Sequence, residues 1–179
     1  MRTFLLLSFM LLLELILSPS LLNARTFSLE TDVYAASQPY LRRGLAIEVW
    51  LFDFISLGTS RDTEDLTDEN FRHTVENTQP LYLRIQLGGF FARSGTLESL
   101  HSVQLKNSLE NSIQGRNRTA FLTGVRSSVG YMFEYSIYLF SVGWQEESTN
   151  SEIFTFDDGS SIVVERQYSN LMVILGFMF

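Results

Sequence analysis

Hydrophobic and polar residues alternate at period two over most of the chain beyond residue 24, which is the signature of strands, not helices. In LYLRIQLGGFF, counting by twos puts Leu81, Leu83, Ile85, Leu87 and Phe91 on one face, with Tyr82, Arg84, Gln86, Gly88 and Phe90 on the other. In AFLTGVRSSVGYMF the apolar face carries Phe121, Val125, Val129, Tyr131 and Phe133, opposite Ala120, Leu122, Gly124, Arg126, Ser128 and Gly130. Tyr138, Phe140, Val142 and Trp144 repeat the pattern against Ser141 and Gly143. The closing run YSNLMVILGFMF aligns Leu171, Val173, Leu175, Phe177 and Phe179, has no charge, and ends on an aromatic. An amphipathic helix would need a polar stripe there, and a soluble strand a polar outer face.

Strands are expected at about 27–37, 45–57, 81–92, 119–132, 135–145 and 163–179, with a weaker one at 97–106. That makes seven, whereas closed bacterial barrels have an even number. A short extra strand at 71–76 brings the count to eight, at the cost of a long connection after Gly58 on the side of the termini. Demoting 97–106 to a helix or loop would give six.

Alternation alone fits a soluble sandwich as well as a membrane barrel. Charge placement separates them. Between Thr119 and Gln145 only Arg126 and Glu134 are charged, and nothing is charged after Arg166, whereas SRDTEDLTDENFRHTVE, QEESTNSE and DDGSSIVVER are charge-dense. A strand crossing hydrocarbon keeps its charges at its ends or in the lumen. Glycine points the same way: Gly88, Gly124, Gly130, Gly143 and Gly176 fall opposite the aliphatic face, where a tightly curved barrel has least room. Gly89 is the exception. The expected fold is all-β, a small closed antiparallel up-and-down transmembrane β-barrel of eight strands.

Composition narrows the function classes. The 179 residues, 45% hydrophobic and 18% charged, suit one domain, and a net charge of −7 with no clustered basic face argues against nucleic acid. The absence of cysteine removes disulfides, thiolate metal sites and a lipid-modified N-terminal cysteine. No metal-ligand spacing or phosphate loop appears, so no metal or cofactor is expected. The opening MRTFLLLSFMLLLELILSPSLLNA has Arg2 before an apolar run, a break at Pro19 and a small residue at Ala24, and reads as a secretory signal peptide. Its apolar run falls short of the roughly 20 residues of a spanning helix. The division is therefore a signal peptide over 1–24 and a barrel domain over 25–179.

With its export segment, alternating strands and final Leu171, Val173, Leu175, Phe177 and Phe179, the chain resembles the small outer-membrane β-barrel proteins of Gram-negative bacteria. The resemblance implies residence in the cell outer membrane, in contact with outer-membrane lipid and lipopolysaccharide. It implies that the terminal strand is the signal read by the barrel-assembly machinery. It also puts the C-terminus and the turn in YMFEYS on the periplasmic side, and the segment from Trp144 to Arg166 outside, with DDGS at its hairpin tip.

Three function classes remain. Glu48, Arg84 and Arg126 lie on mixed faces and are expected to pair with one another, since an unpaired charge in a narrow interior is costly. Glu30 and Asp32 share such a face, while Asp53 has the opposite parity from Glu48 and belongs at a bulge or rim. Such a network makes a plug in a structural or surface-interaction barrel, or the constriction of a small anion-selective porin. The second class is catalysis. Some barrels are lipid-A acylases or deacylases that use histidine with serine and a carboxylate, but His101 and Ser102 are adjacent, so they point to opposite faces. A histidine and serine two apart on one face are not found in this reading, and no enzyme is expected. The third class is surface interaction. Glu146, Glu147, Glu152, Asp157, Asp158 and Glu165 form an acidic loop that keeps the protein solvated, or holds divalent cations against lipopolysaccharide phosphates, or meets a basic extracellular protein.

Overall fold

A computed structural model of the chain describes residues 26–33, 42–69, 71–105, 117–156 and 159–179. The strands are β1 Phe27–Asp32, β2 Arg42–Phe52, β3 Ile55–Asp65, β4 Phe71–Leu87, β5 Phe90–Leu105, β6 Asn117–Tyr135, β7 Tyr138–Thr149, β8 Glu152–Thr155, β9 Ser161–Val164 and β10 Gln167–Met178. Eight of them close an antiparallel barrel in the order β1-β10-β7-β6-β5-β4-β3-β2, and β8 pairs with β9 as a separate hairpin. Antiparallel neighbours in chain order make this an up-and-down barrel, closed where β1 meets β10 from Ser28↔Met178 to Asp32↔Ile174.

The eight strands are divided differently from the sequence expectation. The stretch 45–57 is two strands turning at Asp53-Phe54, which places Asp53 at the rim. The stretch 81–92 is the end of β4, a turn at Gly88-Gly89 and the start of β5. The extra strand expected at 71–76 is the upper half of β4, and 97–106 is the upper part of β5 through Leu105. No long connection follows Gly58, because β3 runs on to Asp65. The stretch 163–179 is β9 and then β10, and of 27–37 the described part is β1.

The turn at Gly88-Gly89 also reverses two side-chain assignments. Leu87 and Phe90 are cross-strand partners on the two sides of a two-residue turn, so they share a face and the parity of the count changes. Phe91 is therefore inside, 4% exposed, and Phe90 outside, 69% exposed. Gly88 takes a left-handed φ of 60° at the turn, a conformation that glycine adopts without a Cβ penalty.

The packing inverts that of a soluble protein. Leu45, Val49, Leu81, Leu83, Ile85, Val125, Val129, Phe140, Leu171 and Leu175 are exposed, while Glu30, Glu48, Arg84, Arg126 and Glu147 are buried inside. An apolar surface this extensive calls for a hydrocarbon environment. Its lower edge, where the short turns lie and Phe27 meets Phe179, is aromatic: Phe52 stacks on Phe54, Phe90 meets Tyr131 edge-on, and Tyr138 packs on Phe177. Trp144 lies on the outer face further up, where its Nε1 donates to Ser169 at 2.8 Å.

Glycines let adjacent strands approach inside. A Cβ on Gly130 would overlap the carbonyl oxygen of Val142 and stand 2.7 Å from the Cα of its partner Gly143. Gly130→Val is expected to cost about 1–3 kcal/mol in urea unfolding from lipid vesicles, the usual range for overpacking. Val129→Ile, on the lipid face of the same strand, should leave the transition where it is.

Candidate functional site in the lumen

From the turn end upward the lumen is layered. The lowest layer is apolar, with Phe91, Met132, Leu139, Met172, Ile174 and Met178 buried together. Above it lies a charge-balanced cluster. Arg84 on β4 reaches across the barrel to β1, where its Nη1 and Nη2 donate to the two carboxylate oxygens of Glu30 at 2.7 and 2.6 Å. Its Nη2 also lies 3.0 Å from Glu48 on β2. Such a bidentate, charge-assisted pair is among the stronger polar contacts available. Ser28 and Ser56 donate to the other oxygen of Glu48. Arg93 on β5 stands 3.9 Å from Glu30 and donates to Ser128 and Gln145. The guanidinium of Arg84 sits over the Phe91 ring, and that of Arg93 over Tyr82.

A cavity of about 40 Å³, bordered by Glu30, Arg93, Met172 and Gln145 below and Asp62 and Arg126 above, separates this cluster from a second one. It has room for water. Arg126 on β6 pairs with Asp62 of β3 and Glu147 of β7, each at 2.7 Å. Arg166, just before β10, pairs with Glu64 at 2.7 Å and with Glu147. Two cations thus face three carboxylates.

A hydrogen-bonded chain climbs from Asp62. Asn77 Nδ2 donates to Asp62 at 2.8 Å, and Ser99 Oγ donates to Asn77 Oδ1 at 2.7 Å. Ser99 has spent its one proton, so His101 Nε2, 3.0 Å away, must donate to it. His101 Nδ1 is then an acceptor, and the donor 3.0 Å away is His73 Nε2. On the outer face at this height stand Arg72, Thr74 and Glu76 of β4 and Leu100, Ser102 and Gln104 of β5. Burial lowers the pKa of His73 despite the nearby carboxylates of Glu64, Asp68 and Asp65.

The top layer is apolar again. The β8–β9 hairpin puts Phe154, Phe156 and Val164 against Val103, Ala120 and Leu122 of β5 and β6, with Phe71, Leu105 and Ile162 packed around them. The rings of Phe71 and Phe156 are 5.5 Å apart, and Arg118 donates to the Thr155 carbonyl. Arg166 sits where the hairpin returns to the wall, with its backbone N–H bonded to Thr149 Oγ1.

Comparison with solved structures finds the same architecture. The crystal structure of Neisserial surface protein A matches with a TM-score of 0.51 at 9% identity, over 86% of this chain and 97% of that one. The fold is that of a small outer-membrane barrel. The N-terminal β-barrel domain of Pseudomonas aeruginosa OprF aligns at a TM-score of 0.48 and 11% identity, over 86% of this chain and 96% of that one. The Yersinia pestis outer membrane protein Ail, determined in a phospholipid bilayer nanodisc, aligns at 0.45 and 11%, over 87% and 99%. No protein-family model and no curated protein sequence matches the chain.

The geometry alters several sequence-based site assignments. Glu48 and Arg84 are in contact, but Arg126 is not with them: it belongs to the upper cluster with Asp62 and Glu147. Glu147 is not on the acidic surface either. Its side chain is buried in the lumen, because β7 continues to Thr149 and residue 147 has inward parity. Glu146, Glu152 and Glu165 are exposed, and Asp157 and Asp158 lie outside the described residues. Glu30 joins the lower cluster, while Asp32 is half-buried at its upper edge.

The histidine reading needs correcting as well. Ser102 points outward, and it is Ser99, two residues before His101, that shares its inward face and touches it. The contact still does not make a nucleophile and base. A base must accept the serine proton, whereas here Asn77 accepts it and the imidazole donates. Asp62, Arg93 and Arg166 were not among the residues expected to pair with Glu48, Arg84 and Arg126, whereas Glu30 was expected on such a mixed face and does join them. Nothing in single-strand periodicity gives the height at which two strands meet.

Proposed function

We propose that this chain is an outer-membrane barrel with a plugged lumen and a structural or surface-interaction role, exported by residues 1–24 and inserted by the barrel-assembly machinery through Leu171, Val173, Leu175, Phe177 and Phe179. In this reading the aromatic-edged end with the short turns faces the periplasm, and the β8–β9 hairpin faces outside. Glu146, Glu152 and Glu165, with Asp157 and Asp158, would meet divalent cations at lipopolysaccharide phosphates or a basic extracellular protein. Lipid and lipopolysaccharide are the expected surroundings of the belt.

The observation that carries the plug is Arg84, with no exposed side-chain surface, held between Glu30 and Glu48 across the barrel and sealed by apolar layers on both sides. An eight-stranded barrel has an interior only wide enough for side chains, and here they are locked in ion pairs. Purified protein in planar bilayers should give no steady conductance. Reproducible anion-selective channels that lose selectivity on Arg126→Ala would instead make the chain a small porin. No catalytic role is assigned to His73, His101 or Ser99, since the hydrogen bonds run the wrong way for a serine nucleophile.

A further inference from the structure

The β8–β9 hairpin has one face committed to the barrel and one exposed. Its cross-strand pairs are Glu152↔Val164, Ile153↔Val163, Phe154↔Ile162 and Thr155↔Ser161. Paired residues share a face and successive residues alternate, so Phe154, Ile162 and Val164 fall on one side and Ile153, Val163, Thr155 and Ser161 on the other. The first side packs in the apolar layer against Val103, Ala120 and Leu122. Arg118 holds the edge by donating to the Thr155 carbonyl. The base is held by the Thr149 N–H, which donates to the Arg166 carbonyl, and by the Arg166 N–H, which donates to Thr149 Oγ1. Turning the hairpin over would expose Phe154 and Val164, so Ile153 and Val163 stay outside, 67% and 55% exposed.

This apolar pair is not part of the lipid-facing belt. Glu146 and Ser148 point outward on β7 between Trp144 and the hairpin, so polar side chains separate the two. Its setting is acidic. Glu146, Glu152 and Glu165 are exposed, Asp157 and Asp158 belong to the same stretch, and residues 145–165 contain no lysine or arginine. Arg118 is engaged at the Thr155 carbonyl, and Arg166 is buried with Glu64 and Glu147. Charge then tells the occupants of this face apart. A second copy would bring the same carboxylates face to face, and a phosphate-bearing lipid surface would be repelled. A divalent cation uses the carboxylates and leaves the apolar pair without a role. A protein segment with lysine or arginine around an apolar side chain matches both features, an apolar centre and a charged rim.

We propose that the outward face of the β8–β9 hairpin is a docking surface for a basic extracellular protein, with Ile153 and Val163 as its apolar centre and Glu152 and Glu165 as its charged rim. The proposal rests on the surface-interaction role given above and selects one of its two partners, the basic protein over the cation. Because the inner face is packed into the barrel mouth, the surface is pre-organised and little ordering opposes binding. The rim carboxylates set the association rate and its salt dependence, and the apolar centre sets the dissociation rate.

The test is selection from a phage-displayed library of random peptides on the intact barrel, folded in phosphatidylcholine nanodiscs, after depletion on empty nanodiscs. Retained sequences should combine lysine or arginine with an aliphatic or aromatic residue. Peptides synthesised from them should bind the Ile153→Ser/Val163→Ser protein about 10-fold more weakly than wild type. They should also bind the Glu152→Gln/Glu165→Gln protein more weakly, with a shallower dependence on salt. Both double variants alter exposed side chains and should keep the heat-shifted mobility of wild type; if the serine pair does not, Val163→Ser alone should weaken binding in the same direction. Retained peptides that bind the serine variant as well as wild type would overturn the proposal, because charge alone would then account for them. So would retained peptides without basic residues, or a selection that yields nothing above the empty-nanodisc background. An epitope tag inserted after Gly159 and probed on intact cells separates this failure from that of the underlying role: an antibody unable to reach it would refute the outward placement of the hairpin, whatever the peptides do.

Discussion

Arg84→Met should destabilise the barrel by about 3–5 kcal/mol, the cost of breaking a buried ion pair by removing one partner. The loss is large because Arg84 serves two carboxylates at once. Glu30 would lose both of its short bonds, and Glu48 its 3.0 Å contact, deep in a lumen where neither reaches water. Arg93 could take over only partly, since it stands 3.9 Å from Glu30 and is engaged with Ser128 and Gln145. Double-mutant cycles in urea unfolding from vesicles give the check. Glu30→Gln in the Arg84→Met background should recover more stability than Glu48→Gln, because the bidentate bonds go to Glu30. Additive losses for both pairs would mean that these residues do not interact.

Deleting Phe179, or replacing it with aspartate, should remove most of the chain from the outer membrane and leave periplasmic aggregate or fragments. Phe179 completes the seam of the barrel. Its N–H donates to the Phe27 carbonyl at 2.9 Å, and its carbonyl accepts from Thr26 and Phe27 at 3.1 and 3.2 Å. Its ring lies 6.2 Å from that of Phe27. Deletion opens the last rungs of the β1–β10 pairing, and an aspartate puts a charge at the apolar edge, where it is costly. The proposed role of the terminal strand in assembly adds a kinetic penalty to this thermodynamic one. Met178→Leu, which changes a lumen-facing neighbour, should insert normally, so a comparable defect there would point to general instability. Unimpaired insertion of the aspartate variant would remove the reason for treating the tail as an assembly signal.

The barrel itself was legible because its inside and outside differ at period two along Val125–Phe133, Tyr138–Trp144 and Leu171–Phe179, where no turn interrupts the count. The partition into strands was not legible wherever a two-residue turn hid inside an apolar run. Leu87-Gly88-Gly89-Phe90 could have been read as a turn, since consecutive glycines suit one, but strict counting carried Phe91 to the wrong face. The stretch around Asp53-Phe54 contains neither glycine nor proline, so nothing local marks the reversal there.

Site prediction failed for a related reason. Parity tells which side chains enter the lumen, and Glu48, Arg84 and Arg126 do enter. It does not tell how far along the axis each one sits. Arg84 pairs across the sheet with Arg93, low in the barrel, whereas Arg126 is registered with Gly95 and Glu147 above it. That difference in height sends Arg126 to Asp62. Glu147 was misplaced because QEESTNSE reads as one polar loop, although Glu146 and Glu147 still alternate out and in at the top of β7. The Ser99-Leu100-His101 spacing was visible in the sequence, but its partner His73 comes from another strand, and only the β4–β5 register brings them together.

The most direct test of the membrane-barrel account is the mobility of the protein in outer-membrane fractions, electrophoresed in detergent with and without boiling. A closed barrel whose backbone hydrogen bonds are all satisfied within the sheet resists detergent until heated, so the account predicts a band in the outer-membrane fraction that shifts on boiling. A chain recovered in the soluble periplasmic fraction, with the same mobility before and after heating, would contradict it.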